Sequence, residues 1–353
     1  MKIAFGVFDW GLGHATRDIP LIEALLAANH KVDIISTGRA LIFLQKKFGD
    51  KCGYFDVPSI YVPYPKNGFF IFNFTRNIPK MLINISRARQ ISKVIITSGK
   101  YDKVISDCRY DVYDKVSNSY LINHQLRFRT PLVEKVTERW LYVRAKKYKY
   151  ILVPDYDGHN LSGKLSHGLA FVPKNKIKYV GILSHLTKKK APQDIDYFVS
   201  LSGPEPQRTI LEQKILLDVN KLKGRIVITL GKPEACTVTK SKNVTIYSFL
   251  DSKQQENMMN RAKCIISRSG YTTVMDLVEL DKKKVLFIPT PGQTEQEYLG
   301  KIYSARGYFH CINQKKFNLV HDIKQVESCK GYAAAWKTKS SVKRILQLIE
   351  LEV

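Results

Sequence analysis

The sequence predicts an α/β protein of two domains, each built on a parallel, doubly wound sheet. Three observations carry this. The chain has 353 residues, enough for two domains of ordinary size. Short apolar runs without alternation recur between stretches of helical periodicity, the pattern of strands covered on both faces. That pattern breaks at the charged, proline-bearing Lys188-Lys189-Lys190-Ala191-Pro192 and then starts again.

Lys2–Phe8 is the first such run, and it ends at a glycine turn. Ile19–Ala28 reads as a helix, Lys31–Ser36 as a second strand and Leu41–Phe48 as a second helix. Val104–Ser106, Tyr120–Ile122, Tyr150–Val153 and Tyr179–Leu183 continue the series. Beyond the break, strands are expected at Tyr197–Leu201, Arg225–Leu230, Val244–Tyr247, Lys263–Ser267, Lys284–Ile288 and Phe309–Ile312. Helices at Arg208–Val219, Val274–Leu280 and Gln296–Ala305 separate them. Lys337–Leu351 closes the chain as an amphipathic helix, with Val342, Ile345, Leu346 and Ile349 on one face. The expected domains are 1–187 and 193–336, with 337–353 as a C-terminal helix that packs back on the first domain.

Composition narrows the class. With 44% hydrophobic residues the chain can bury a large core, which excludes disorder despite a formal charge of +26. No run approaches the ~18–20 apolar residues of a membrane span, and Met1 leads into a strand rather than a signal peptide, so a cytoplasmic protein is expected. Six scattered cysteines without metal-ligand spacing are expected as free thiols. Residues 1–190 carry +18 and residues 191–353 carry +8, so the first half dominates the field. Charge of this kind draws nucleic acid, anionic lipid or an anionic small molecule.

Ligands of open parallel sheets bind beyond the carboxyl ends of the strands. After the first strand come Gly11, Gly13 and His14, with Arg17 in the opening helix. Glycines admit a ligand close to backbone, the helix start favours an anion, and an imidazole there suits a general base. Asp107 and His124 follow the next strands; Asp107 is the expected partner that fixes the His14 tautomer. His159 and His167 read as solvent-facing. In the second half, Ser202 and Gly203 precede a helix bearing Arg208, and Ser269-Gly270-Tyr271-Thr272 stands between a strand and a helix. Small hydroxyl residues and glycine at helix starts suit a diphosphate.

Gly11-Leu12-Gly13-His14-Ala15-Thr16-Arg17 resembles the glycine-rich opening of GT-B glycosyltransferases. Residues 249–300 resemble their donor-binding region, especially that of the bacterial peptidoglycan N-acetylglucosaminyltransferase group. The stretch includes Phe249-Leu250, Ser267-Arg268-Ser269-Gly270, Thr273-Val274-Met275-Asp276 and Glu295-Gln296. The resemblance implies two Rossmann-like domains facing a cleft, with a nucleotide sugar, UDP-linked, on the second. It implies that Phe249 and Leu250 border the base, that Ser269, Gly270 and Thr272 hold the diphosphate, that Asp276 stands where a ribose-binding Glu is usual, and that Gln296 meets the donor sugar. The sequence departs from the peptidoglycan pattern at Glu297 and Gly300, where that group has Gln and Asn, while Glu295-Gln296 is similar to the acidic residue plus Gln of other GT-B branches.

The expected activity is an inverting, metal-independent glycosyl transfer from a nucleotide sugar to a hydroxyl, with no cofactor and no metal. Asp155-Tyr156-Asp157 has the form of a metal motif but lies in the first domain. Segment 61–94 places aromatic Phe69, Phe70, Phe72 and Phe74 beside Arg76, Lys80, Arg87, Arg89 and Lys93, a composition suited to an anionic membrane surface and a lipid-linked acceptor. A nucleotide-sugar hydrolase or 2-epimerase of the same fold is the rival reading. A nucleic-acid-binding protein ranks third, since no helix-turn-helix, zinc-finger or RNA-recognition signature is present.

Overall fold

The computed structural model describes residues 1–58, 70–129, 134–235 and 237–351, with backbone alone for 70–82. The chain divides into two compact units: Met1–His185 with Ala335–Val353, and Leu186–Ala334.

In the first unit, β1 (Lys2–Val7), β2 (Lys31–Ser36), β3 (Cys52–Asp56), β4 (Lys103–Asp107), β5 (Ser119–Ile122), β6 (Tyr150–Val153) and β7 (Ile177–Tyr179) form one parallel sheet in the order β3-β2-β1-β4-β5-β6-β7. Helices α1 (Gly13–Ala27), α2 (Gly38–Phe48), α3 (Phe70–Gly99) and α4 (Glu134–Ala145) connect the strands. The order reverses direction at β1, whose neighbours are β2 and β4. That switch point is where such sheets open a crevice at their carboxyl ends, so the turn after β1 and Asp107 at the end of β4 share it.

β1 explains its own position. All of Ile3–Val7 is buried, so a strand of apolar residues on both faces is stable only at the centre of a covered sheet. β3 was not expected: Cys-Gly-Tyr-Phe-Asp lacks β-branched residues and pairs with β2 on one side only. Edge strands need less intrinsic propensity because one ladder and one face hold them.

The chain's last helix, α10 (Thr338–Leu348), packs on α1 and joins the first unit's core through Val342, Ile345 and Leu346, as expected from its periodicity. Burying side chains of this kind contributes about 1.5–3 kcal/mol each. Polar contacts fix the arrival of the segment. Trp336 Nε1 donates to the Val180 carbonyl at 3.1 Å, the Tyr156 hydroxyl donates to the Trp336 carbonyl at 2.5 Å, and the Ser184 N–H donates to Thr338 Oγ1 at 3.0 Å. Gly181, at φ +87°, has no room for a side chain there, because a Cβ would stand 2.1 Å from Trp336 Nε1.

The second unit repeats the architecture. β8 (Ile195–Ser200), β9 (Ile226–Thr229), β10 (Val238–Ser241), β11 (Val244–Tyr247), β12 (Ala262–Ser267), β13 (Val285–Phe287) and β14 (His310–Cys311) run in the order β10-β11-β9-β8-β12-β13-β14. β10 is antiparallel to β11 and the other pairs are parallel. Its helices are α5 (Gln207–Asp218), α6 (Ser252–Arg261), α7 (Tyr271–Glu279), α8 (Thr294–Ala305) and α9 (Leu319–Gln325). Five cysteines are free thiols; Cys236 lies outside the described residues. Among the described residues no helix is long and apolar enough to cross a membrane.

Candidate active site

In the first unit the turn after β1 delivers His14 to the start of α1, and His14 Nδ1 stands 2.9 Å from Asp107 Oδ2. A carboxylate can only accept, so Nδ1 carries the proton and Nε2 is the basic nitrogen. Phe8 packs edge-on against the imidazole, centroids 5.2 Å apart at 90°, and steadies the ring.

Arg17 lies one turn along α1, on the same face as His14. Its Nε donates to Asp107 Oδ2 at 2.8 Å and its Nη2 to Asp107 Oδ1, while Nη1 stands 3.0 Å from His124 Nδ1. Arg17, Asp107 and His124 are all buried. Arg17 and His124 were expected on the acceptor side of the site. Both are buried, and Arg17 joins the Asp107 carboxylate to His124.

Burial lowers the His14 imidazole below its ordinary value, with Asp107 opposing and Arg17 adding to the effect. The ring is therefore neutral at neutral pH, as a base must be. Burial by itself would raise the Asp107 carboxyl, but Arg17 and then His14 outweigh it and hold it below the usual carboxylate range. Asp18, which the sequence did not single out, is fully buried and neither of its oxygens has a hydrogen-bond partner. Burial, reinforced by Asp107, pushes its carboxyl well above the usual range, so it is held neutral.

Donor atoms of His14, Asp107 and Cys108 lie within 4.8 Å of one another. The set does not suit a metal ion. A guanidinium already occupies both Asp107 oxygens, and burial pushes the Cys108 thiol well above its ordinary value. Asp155 of the Asp-x-Asp sequence in this unit is likewise spent, on N–H groups of Tyr156, Leu161 and Ser162, the Ser162 hydroxyl and His167. His167 is thus anchored rather than solvent-facing, whereas His159 is exposed. Asp194-Ile195-Asp196 has the same form, but Asp194 pairs with Arg225 and Arg261, and Asp196 with Lys263.

In the second unit, Gly270 is the N-cap of α7, so the helix begins directly after the end of β12 with a residue that has no side chain to cap it. The Ser269 hydroxyl is buried and donates to the Gln296 carbonyl at 2.9 Å. Gln296 Oε1 accepts from the Thr290 N–H at 2.9 Å, which ties the start of α8 to the loop after β13. Phe249 is exposed, whereas Leu250, Tyr271 and Asp276 are buried. Ser202 and Gly203 are exposed at the end of β8, and Thr272 and Glu295 are half-buried.

Arg208 is held by two acids of its own unit. Its guanidinium donates to Glu212 at 2.7 Å and to Glu205, so its charge is neutralised within its own helix and the turn before it. Arg268, which the sequence placed in the motif without a role, pairs with no carboxylate among the described residues. It is buried and donates only to neutral oxygens, namely the carbonyls of Ser202, Gln207, Ile288 and Pro289 and Oε1 of Gln314. Burial pulls its pKa down to about 10, so it stays charged at neutral pH. It knits the ends of β8, β12 and β13 together, and a Cβ at Gly203, which has φ +112°, would stand 3.7 Å from its Nε.

A family model described as glycosyl transferase family 1 matches residues 1–128, and the glycosyltransferase family 28 C-terminal domain matches residues 207–350. The chain is a GT-B glycosyltransferase. An uncharacterized glycosyltransferase of Methanosarcina acetivorans is 24% identical over 337 residues, 87% of this chain and 84% of the relative. Among solved structures, the glycosyltransferase of kitacinnamycin superposes with a TM-score of 0.65 at 11% identity, covering 99% of this glycosyltransferase and 98% of that chain. MurG of Acinetobacter baumannii superposes with a TM-score of 0.59 at 11% identity, covering 99% of each. At such identities the structural likeness speaks for the fold, and both family models point to the same class of enzyme.

Proposed function

We propose that this glycosyltransferase moves a sugar, with inversion and without a metal ion, from a UDP-linked donor to a hydroxyl of a lipid-linked acceptor. The observation that carries the reading is the His14–Asp107 pair, with its tautomer set, its carboxylate ionised and its orientation locked by Arg17. Nε2 of a neutral imidazole takes the acceptor proton, and the resulting imidazolium is stabilised by Asp107. The freed oxygen attacks the anomeric carbon from the face opposite the diphosphate, so one C–O bond forms as another breaks.

The leaving diphosphate needs positive charge. The start of α7, from Gly270 to Thr272, brings the positive end of a helix to the end of β12, and Arg268, which donates to the Ser202 carbonyl, adds a charge. Phe249 offers an exposed ring for the base, and Gln296 with Glu295 the end nearest the sugar. The preference for UDP follows from the resemblance of residues 249–300.

A peripheral position on the cytoplasmic face of a membrane is supported by α3. Ile83, Arg87, Ile91, Lys93 and Val94 are exposed along its second half, mixing apolar and basic groups. The aromatic stretch at 69–74 expected beside them lies outside the described side chains.

Thermal-shift comparison of UDP-, GDP- and dTDP-sugars tests the donor, with the largest shift expected for a UDP-sugar. NMR of the product of the preferred donor tests inversion at the anomeric carbon. Consumption of donor as fast without acceptor as with it supports the hydrolase or epimerase reading instead.

A further inference from the structure

The first unit's sheet carries its helices in two layers, and the alternation of side chains along the strands sorts them. Ile105 and Tyr120, aligned in the ladder between β4 and β5, pack with α1, α2 and α10 in one core. Val104 and Leu121 belong to the other face, since Val104 is aligned with Ser119, two residues before Leu121. Val104 packs with Ala88 and Ile96 of α3, and Leu121 with Ala145 of α4. α3 and α4 therefore cover one face of the sheet together, opposite the layer of α1, α2 and α10. Tyr113 joins them: the Arg89 guanidinium of α3 lies 3.4 Å from its ring centroid, and Lys147, just past α4, donates to its hydroxyl at 2.7 Å.

On the outer side of this layer both helices have the same composition. On α3, Ile83, Arg87, Ile91 and Val94 follow one another at spacings of three and four residues, and all are exposed beside Lys93. On α4, Val136, Arg139 and Val143 do the same, with Val136 67% and Val143 46% exposed, beside Lys135 and, just past the helix, Lys146. Among the described residues none of Arg87, Lys93, Lys135, Arg139 and Lys146 has an acidic partner. α3 contains no acid, and the two acids of α4, Glu134 and Glu138, are engaged by Arg127 and Arg129. Exposed aliphatic groups among unpaired cations suit an anionic bilayer, where the apolar side chains enter the headgroup boundary and each cation strengthens binding roughly fivefold.

We propose that α3 and α4 form one docking face for an anionic bilayer. This rests on the peripheral position proposed above and extends it from the ridge of one helix to a face, which fixes the orientation of the unit. With the layer flat on the surface, the sheet stands about one helix diameter, roughly 10–12 Å, above it. The crevice at the carboxyl ends of β1 and β4 then opens along the bilayer. His14 meets a hydroxyl that a polar spacer of about that length holds off the surface.

Co-sedimentation of the full-length protein with vesicles of phosphatidylcholine and phosphatidylglycerol tests the face. K135E/R139E on α4 and R87E/K93E on α3 should each weaken binding about tenfold or more. K339E/K343E makes the same change of charge on α10, in the opposite layer, and should stay within about twofold of the unsubstituted protein. V136S/V143S keeps the charge and should weaken binding about fivefold or more. All of these side chains are exposed, so their replacement leaves the core intact. Equal losses in K339E/K343E and K135E/R139E would show that overall charge drives binding and would overturn the face, as would V136S/V143S binding like the unsubstituted protein. Loss confined to the charge variant of one helix overturns the shared face and leaves the peripheral position standing. An unsubstituted protein that does not bind these vesicles overturns both.

Discussion

Arg17 grips both carboxylate oxygens of Asp107, the residue that also meets His14 Nδ1 at 2.9 Å. One buried guanidinium therefore sets the angle, the charge and the basicity of the pair. Asp107 cannot rotate away from His14 without breaking a bidentate contact.

Removing that grip exposes its energetic role. R17M leaves Asp107 buried without its cation, and a stability loss of about 3–5 kcal/mol is expected. D107N added to R17M should recover much of it. Denaturant unfolding of the two single variants and the double variant checks this; strictly additive losses would show that the two side chains are not coupled.

The pH dependence of turnover follows from the lowered His14. The base form persists below the ordinary histidine value of about 6.5, so the acid limb of kcat/KM should lie under it. D107N removes the contribution that raises His14, and the limb should move to still lower pH while the rate falls by about 10²–10⁴. A limb that moves upward in D107N would contradict the assignment.

Asp18 gives a stability prediction of opposite sense. Its folded-state carboxyl is raised by burial, so the folded protein binds a proton that the unfolded chain gives up near pH 4. Stability is lost as pH rises through the interval between those two values. D18N removes that loss without adding charge. Its Tm should exceed that of the unsubstituted protein, and the gap should widen as pH is raised from about 4 to neutrality. A gap that narrows over that range would refute a neutral Asp18.

Much of this arrangement was legible in the sequence, and the exceptions have physical causes. The unalternating apolar run of β1 marks a central strand because burial on both faces leaves no polar position in Ile3–Val7. β3 escaped notice because an edge strand can do without β-branched residues. α1 begins at Gly13, ahead of the apolar periodicity that starts at Ile19, because tertiary contacts, including the His14–Asp107–Arg17 cluster, hold a first turn whose own residues favour helix weakly. The burial of Arg17 was not legible, because its partner Asp107 lies 90 positions away in the chain. Nor did the sequence reading anticipate that Arg208 pairs with Glu205 and Glu212. His167 looked solvent-facing in a Gly-Ser loop, yet Asp155 organises that loop around its own carboxylate.

The central claim is that His14 deprotonates the acceptor while the second unit holds the donor. H14A measures it most directly, by comparing donor affinity with turnover in the same preparation. Donor affinity should stay nearly that of the unsubstituted enzyme while turnover falls by about 10²–10⁴. Turnover unchanged in H14A would contradict the account.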